Sequence, residues 1–205
     1  MPTTSATFPA SGENNVPTNA STWAWTNPIN IVGSDGNNAS LQSNGGAPYV
    51  FPYLRASRFG FAITSGATIN GIQAVIHTGV GNTDYSLDEV RLAYGTAAQS
   101  YGDNRTPGGT FHPNSTINCG SDADLWGISL TPSIVNNDEF GLILLPGRAS
   151  GSLTRTIPVN YITLAITYTD PSSGGGGGST AIARAFPSAN NIRFFPLTSN
   201  RDFPK

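Results

Sequence analysis

Tyr161-Ile-Thr-Leu-Ala-Ile-Thr-Tyr-Thr169 decides the fold class of this chain. Ile162, Leu164, Ile166 and Tyr168 alternate with Thr163, Ala165, Thr167 and Thr169. Successive side chains of a strand point to opposite faces, so this period of two predicts a strand with one buried face. Outward from it the same pattern recurs. Ile72, Ala74 and Ile76 alternate with Gln73, Val75 and His77, which predicts a strand with His77 on its outer face. Val90, Leu92 and Tyr94 alternate with Glu89, Arg91 and Ala93, and Phe59, Phe61 and Ile63 share one face of Arg58–Ile63. Gly141-Leu-Ile-Leu-Leu145 is a continuous apolar run, as expected of a strand buried on both faces. Tyr49–Leu54 is a shorter apolar run, and Trp23, Trp25, Ile29, Ile31 and Val32 predict a first strand interrupted at Asn27-Pro28. The helical signal is confined to Thr131–Glu139, where Thr131 suits an N-cap and Pro132 a first helical position. Strands spaced this way, with Gly, Pro and Asn turns between them, predict an all-β antiparallel sandwich of jelly-roll type.

Composition agrees with a β-rich body. Charged residues are 11% of the 205 and the net charge is -2, against a usual charged share of about 25%. Asn, Thr, Ser and Gly must therefore cover much of the surface. Disorder needs low hydrophobicity together with high charge, whereas 38% of these residues are hydrophobic. Near-neutrality and the lack of a basic run argue against nucleic acid and anionic membranes as partners. No apolar stretch reaches the 18 or so residues that span a bilayer. Met1–Phe8 lacks a basic start followed by an apolar segment, so no signal peptide is expected and synthesis in a cytoplasm is. The one cysteine, Cys119, allows no intrachain disulfide, and its small polar neighbours predict a strand-end or loop position.

The chain divides by composition. Residues 1–22, rich in Thr, Ser, Asn and Pro, are expected to be an arm, and 23–170 the sandwich. Residues 171–179 carry five consecutive glycines, the composition of a flexible linker, and 180–205 form an apolar tail. That tail is too short to bury a core alone, yet it holds Phe186, Phe194, Phe195 and Phe203 beside three arginines. Pro187 and Pro196 forbid a long helix and favour extended chain. Extended segments bind by adding a strand to a sheet edge. Phe186, Ile192, Arg193, Phe194, Phe195, Leu197 and Phe203 are therefore the candidate partner-binding residues, and the tail is expected to anchor the body to another chain.

No catalytic constellation stands out. His112, Cys119 and Asp122 or Asp124 can be drawn as a nucleophilic site, but a loop histidine and a small structural cysteine are the simpler account. Asp84, Asp88, Glu89, Asp103, Asp122, Asp124, Asp138 and Glu139 supply carboxylates for a glycosidase pair, yet most sit where Asp serves a turn. Asp35–Asn38 and Asp122–Asp124 offer oxygens to Ca²⁺ without a complete binding loop. Neither a catalytic residue, a metal ligand nor a cofactor is assigned. Trp23, Trp25, Tyr49, Tyr53 and Tyr101 are candidates for a sugar-stacking platform, and burial of the two tryptophans in a core or interface is the competing account.

Several ordered segments add a resemblance. They are Leu54-Arg-Ala-Ser-Arg-Phe-Gly-Phe61, Ile63–Ile72, Asp88-Glu-Val-Arg-Leu92, Ser121-Asp-Ala-Asp-Leu-Trp-Gly127, Asn137-Asp-Glu-Phe-Gly141 and Val159–Tyr168. Together they resemble a β-sandwich module of tailed-bacteriophage structural proteins, over roughly residues 50–170. The resemblance implies a virion protein: a capsid decoration or cement protein, or a head or neck fibre, without enzymatic activity. It implies other virion subunits as partners and brings no catalytic residues. A homo-oligomer, with a trimer first, is expected of such proteins. The alternative is a receptor- or carbohydrate-binding module of a tail fibre.

Overall fold

A computed structural model describes residues 1–15, 23–43, 51–81, 85–95, 99–147 and 155–171. The linker glycines and all seven candidate anchoring residues of the tail lie outside the described residues. Among the described residues ten strands build the body: β1 (Pro2–Thr7), β2 (Ser11–Asn15), β3 (Ala39–Ser43), β4 (Tyr53–Ser57), β5 (Thr68–Thr78), β6 (Leu87–Tyr94), β7 (Gln99–Tyr101), β8 (Thr116–Ser121), β9 (Gly141–Pro146) and β10 (Arg155–Thr169). One antiparallel sheet has the order β1-β10-β5-β8, with β3 also on β10; the other runs β2-β4-β9-β6-β7.

Without β1 and β2, the eight remaining strands form two four-stranded sheets, β3-β10-β5-β8 and β4-β9-β6-β7. From β3 onward the chain changes sheet at every connection except β6 to β7. This is the double Greek key of a jelly roll. Strand β10 is its longest member. Arg155–Val159 pair with β3 and Leu164–Thr169 with β1, while the opposite edge takes β5. Ile162, Leu164 and Ile166 are fully buried, as the alternation predicts. Each such side chain contributes about 1.5–3 kcal/mol through burial. Ile72, Ala74 and Ile76 of β5 face them from the neighbouring strand, and Leu142 and Leu144 of β9 belong to the same core. Gly141 opens β9 because a Cβ there would sit 1.9 Å from the Ala56 carbonyl oxygen of β4.

The expected N-terminal arm is corrected. Residues 1–15 supply two edge strands, β1 on β10 and β2 on β4. The side chains of β1 are mostly exposed, so no hydrophobic pattern marked it; the backbone ladder to β10 holds it. The expected first strand over Trp23–Val32 is also corrected. Pro28–Val32 is a short 3₁₀ helix, with Pro28 in its first turn, where its missing N–H costs nothing. Asn27 precedes it at φ 51°.

Phe59, Phe61 and Ile63 are buried as predicted, at 4%, 6% and 4% exposure, but they sit outside the sheets. Arg58 (φ 59°) and Gly60 (φ 68°) turn the chain away from a ladder. The Asn136 amide stands in for a strand partner: its Nδ2 donates to Ile63 O at 2.8 Å and its Oδ1 accepts from Ile63 N at 2.9 Å. The predicted helix exists as one turn, α1 (Pro132–Val135), whose N-cap Thr131 accepts from Ile134 N. Cys119, expected at a strand end or in a loop, lies within β8 and is buried in the core.

Candidate functional site

A cleft of about 100 Å³ opens where β5 ends. Its walls come from His77, Thr78, Gly79 and Val80, from Gly36 and Asn38 ahead of β3, from Asn114 ahead of β8, and from Asn160 in β10. Each wall has a local cause. The pairing of β10 with β5 shifts register between Val159 and Tyr161, so Asn160 is the extra residue of a bulge. Bulges re-aim side chains and recur beside functional sites. Asn114 takes φ 54°, a conformation that Asn tolerates better than most residues, and its N–H donates to Gly79 O at 2.9 Å. Gly79 N donates to Pro158 O at 3.1 Å. Asn160 Nδ2 donates to Asn37 O at 2.7 Å, and Asn30 Nδ2 to Asn38 O at 3.1 Å. A Cβ on Gly79 would meet Asn38 Oδ1 at 2.0 Å, so the Asn38 amide lies directly across the glycine.

Two polar atoms at this cleft have no protein partner: Asn38 Oδ1 and His77 Nδ1, both buried. A buried polar atom left unsatisfied costs about 1–3 kcal/mol. Both atoms are closed off by their neighbours, Asn38 Oδ1 by the Gly79 backbone. Among the described residues no charged side chain lines the cleft. Val80, 80% exposed, stands at its lip.

His77 also belongs to a row of rings on the outer face of the sheet. It is the cross-strand neighbour of Tyr161. Their rings stack with centroids 4.8 Å apart and planes 13° apart. Phe8, just beyond β1, meets Tyr161 edge-on at 5.7 Å and is 41% exposed. The row thus crosses from β5 over β10 to the end of β1.

The aromatic candidates read from the sequence lie elsewhere. Trp25 is corrected: it is 2% exposed, and its Nε1 donates to Pro52 O at 3.0 Å, so its ring fills the core. The Asn14 side chain grips its backbone, donating to Trp25 O and accepting from Trp25 N. Trp23 is half-buried against the same core. Tyr101, also half-buried, packs on the core with its ring 5.7 Å from that of Tyr94. Tyr53 donates to Glu89 at 3.0 Å, and burial, aided by that carboxylate, pushes its hydroxyl up to about 12. Tyr49 lies outside the described residues.

The described carboxylates are largely taken up by structural bonds. Arg105 holds Asp124 through two hydrogen bonds of 2.6 and 3.1 Å and reaches Asp103 at 3.3 Å. The Arg105 hydrogen bond keeps the Asp124 carboxyl below its ordinary range, helped by the Trp126 N–H. Glu139 pairs with buried Arg55 at 2.7 Å and Glu89 with Arg91 at 3.3 Å. The Asp35 side chain accepts from the N–H and side-chain amide of Asn37, as an Asx turn does. Burial pushes the Cys119 thiol up to about 12, the wrong direction for a nucleophile. Asp88, Asp122 and Asp138 are exposed, and Asp84 lies outside the described residues. Among the described residues no group of three or more His, Cys, Asp or Glu is placed to hold a metal ion. No helix among them is long and apolar enough to cross a membrane.

Sequence reading placed His77 correctly on an outer face but gave no role to Asn38, Asn114 or Asn160. A signal for Asn160 was present: it is a polar residue between Val159 and Tyr161, at the start of the alternating run. No family model, curated protein or solved structure matches the chain.

Proposed function

We propose that this chain is a non-enzymatic structural protein of a tailed-phage-type particle, a capsid decoration or cement protein or a head or neck fibre component. The observation that carries this reading is the division of the chain at Pro171. Residues 1–171 form one compact unit, whose core runs from Trp25 to Ile166. The sequence then continues through five glycines into a segment with four phenylalanines and three arginines. Such a composition suits a tether that orders against a neighbouring subunit. The jelly roll is compatible with this role, since viral capsid domains share it; so do lectins, and fold alone assigns neither. Use of Asp124, Glu139 and Glu89 in structural ion pairs favours a non-catalytic body. In this reading the body is displayed outward in the virion, as a trimer or another cyclic homo-oligomer, and avidity strengthens attachment of several copies.

Deletion of residues 172–205 tests the reading. The truncated protein is expected to melt within a few degrees of the full chain and to be lost from purified particles. Incorporation at the full-length level would overturn the anchoring role.

A further inference from the structure

We propose that the open edge of β1 receives the tail of a second copy of this chain, whose residues 188–195 add to it as a strand, so that copies join head to tail. The inference rests on the anchoring role proposed above and deepens it by naming the receiving site and the partner.

β1 is an edge that nothing blunts. Its six residues pair with β10 in unbroken register, and among the described residues no backbone hydrogen bond reaches its other side. The outward N–H and C=O groups of such a strand are a template for another chain, and proteins usually block them with charge, proline, irregular backbone or a covering segment. The other sheet edges among the described residues carry such blocks. β3 is covered, since Ser40 exchanges both backbone hydrogen bonds with Thr26. β2 carries Glu13, β7 has only three residues, and β8 is interrupted by Gly120 at φ 72°. In β1 no residue is charged, and Pro2 withholds a donor only at the end of the strand. Its side chains are also small on both faces. Ser5 and Thr7 lie on the core side opposite Ile166 and Leu164, and Thr4 and Ala6 are exposed on the other. A strand laid alongside therefore has room for large side chains.

Three observations select the tail as the occupant. The first is charge. Residues 172–205 hold four of the ten basic residues and one of the twelve acidic ones, a net +3, which leaves residues 1–171 at a net -5. Exposed Asp170 stands beside this edge, next to the Thr169–Pro2 pair. The second is composition. Between Pro187 and Pro196 lie eight residues that all retain an N–H, enough to match the six of β1. In a strand Ile192 and Phe194 would fall on one face and Arg193 and Phe195 on the other. The third is where the described chain ends. The 34 residues beyond Pro171 follow β10 at the Pro2 end of the edge. A chain laid from there directly on its own β1 would run parallel to it, the weaker pairing. A second copy's tail is free to enter from the Thr7 end and pair antiparallel, as every described strand pair does. A head-to-tail contact of this kind closes into a ring when the rotation between copies allows it.

Sedimentation velocity of full-length proteins tests the proposal. The parent is expected above monomer size at about 100 µM, since a short strand addition is expected to bind in the range of about 10 µM. An edge variant, Thr3→Lys with Ala6→Lys, and a tail variant, Ile192→Asp with Phe194→Asp, should each be monomeric alone. Mixed in equal amounts they should form dimers, because the edge variant still donates a tail and the tail variant still offers an edge. Both should melt within a few degrees of the parent; if the double edge variant melts lower, Ala6→Lys alone takes its place. Asn118→Lys, on exposed β8, should assemble as the parent does. A monomeric parent, an edge variant that assembles like the parent, or a mixture that stays monomeric overturns the proposal. Loss of particle incorporation on deleting residues 172–205 would, in those cases, leave the anchoring role standing with a different virion protein as the receiver.

Discussion

Trp126 Nε1 donates a 2.9 Å hydrogen bond to the carbonyl oxygen of Ile72, from an indole that is fully buried. The bond ties the Ser121–Gly127 turn to β5, an inner strand of its sheet. Asp124 secures the same turn from the other side, accepting from Trp126 N at 2.8 Å while its own carbonyl accepts from Ile72 N at 2.9 Å. Gly120 makes room for the ring: a Cβ there would sit 2.7 Å from the indole nitrogen, and the residue takes φ 72°.

Trp126→Phe should therefore lower stability by about 1–3 kcal/mol, since it leaves the Ile72 carbonyl buried without its donor. Gly120→Ala should cost at least as much, through both the left-handed backbone and the clash. Urea unfolding measures both. A lower midpoint with an unchanged slope is expected; a midpoint equal to the parent's in either variant would show that the turn is not tied as described.

The Asp124–Arg105 pair sets a pH dependence with a defined sign. The folded carboxyl titrates below its ordinary value because Arg105 hydrogen-bonds its charged form. Its contribution is thus complete above the unfolded value of about 3.9 and is lost as pH falls through the lower folded value. Asp124→Asn should be less stable at pH 7 by about 1 kcal/mol, the scale of a partly exposed pair. The gap should narrow as pH falls below the unfolded value and close once pH has passed the lower folded value, where the parent's carboxylate is protonated as well. Thermal melts of the two proteins from pH 7 down to 2.5 check this. A gap that stays constant with pH would show that the cost comes from packing and not from charge.

Cys119 should be silent toward thiol reagents in the native protein at pH 8 and react at once in denaturant. Its side chain is 1% exposed, and burial raises the thiol to about 12. A thiol that ionises at about 8.5 when unfolded, but only near 12 when folded, also makes the native state lose stability as pH climbs above 8.5. Cys119→Ala should remove that alkaline slope while costing about 1 kcal/mol in lost packing. Rapid native labelling would place the thiol at the surface and contradict its position in β8.

The aromatic residues show why candidate sites were harder to read than strands. Trp25 and Tyr161 are both large, and each has one polar and one apolar neighbour in sequence, so neighbours alone do not separate them. Trp25 is drawn inward because Pro52 O accepts from its indole and Asn14 fixes its backbone. Tyr161 is held outward because Ile162, next to it, occupies the core face of β10. A period of two settles the second case, and only a contact between distant segments settles the first.

By itself the sequence determined the strand faces of β5 and β9, those of β10 as far as Ile166, and the capped turn at Thr131-Pro132, because side-chain alternation and capping are local properties of the chain; the register shift between Thr167 and Tyr168, which buries Thr167, was not legible. It also marked the change in composition beyond Asp170. Only the tertiary structure decided that residues 2–7 and 11–15 are strands, since their polar side chains carry no burial signal and the free edges of β10 and β4 select them. The cleft was likewise beyond any local reading. Asn38, His77, Asn114 and Asn160 are distant in sequence, and they meet because successive strands of the jelly roll pass between two sheets and bring their connecting turns to one end.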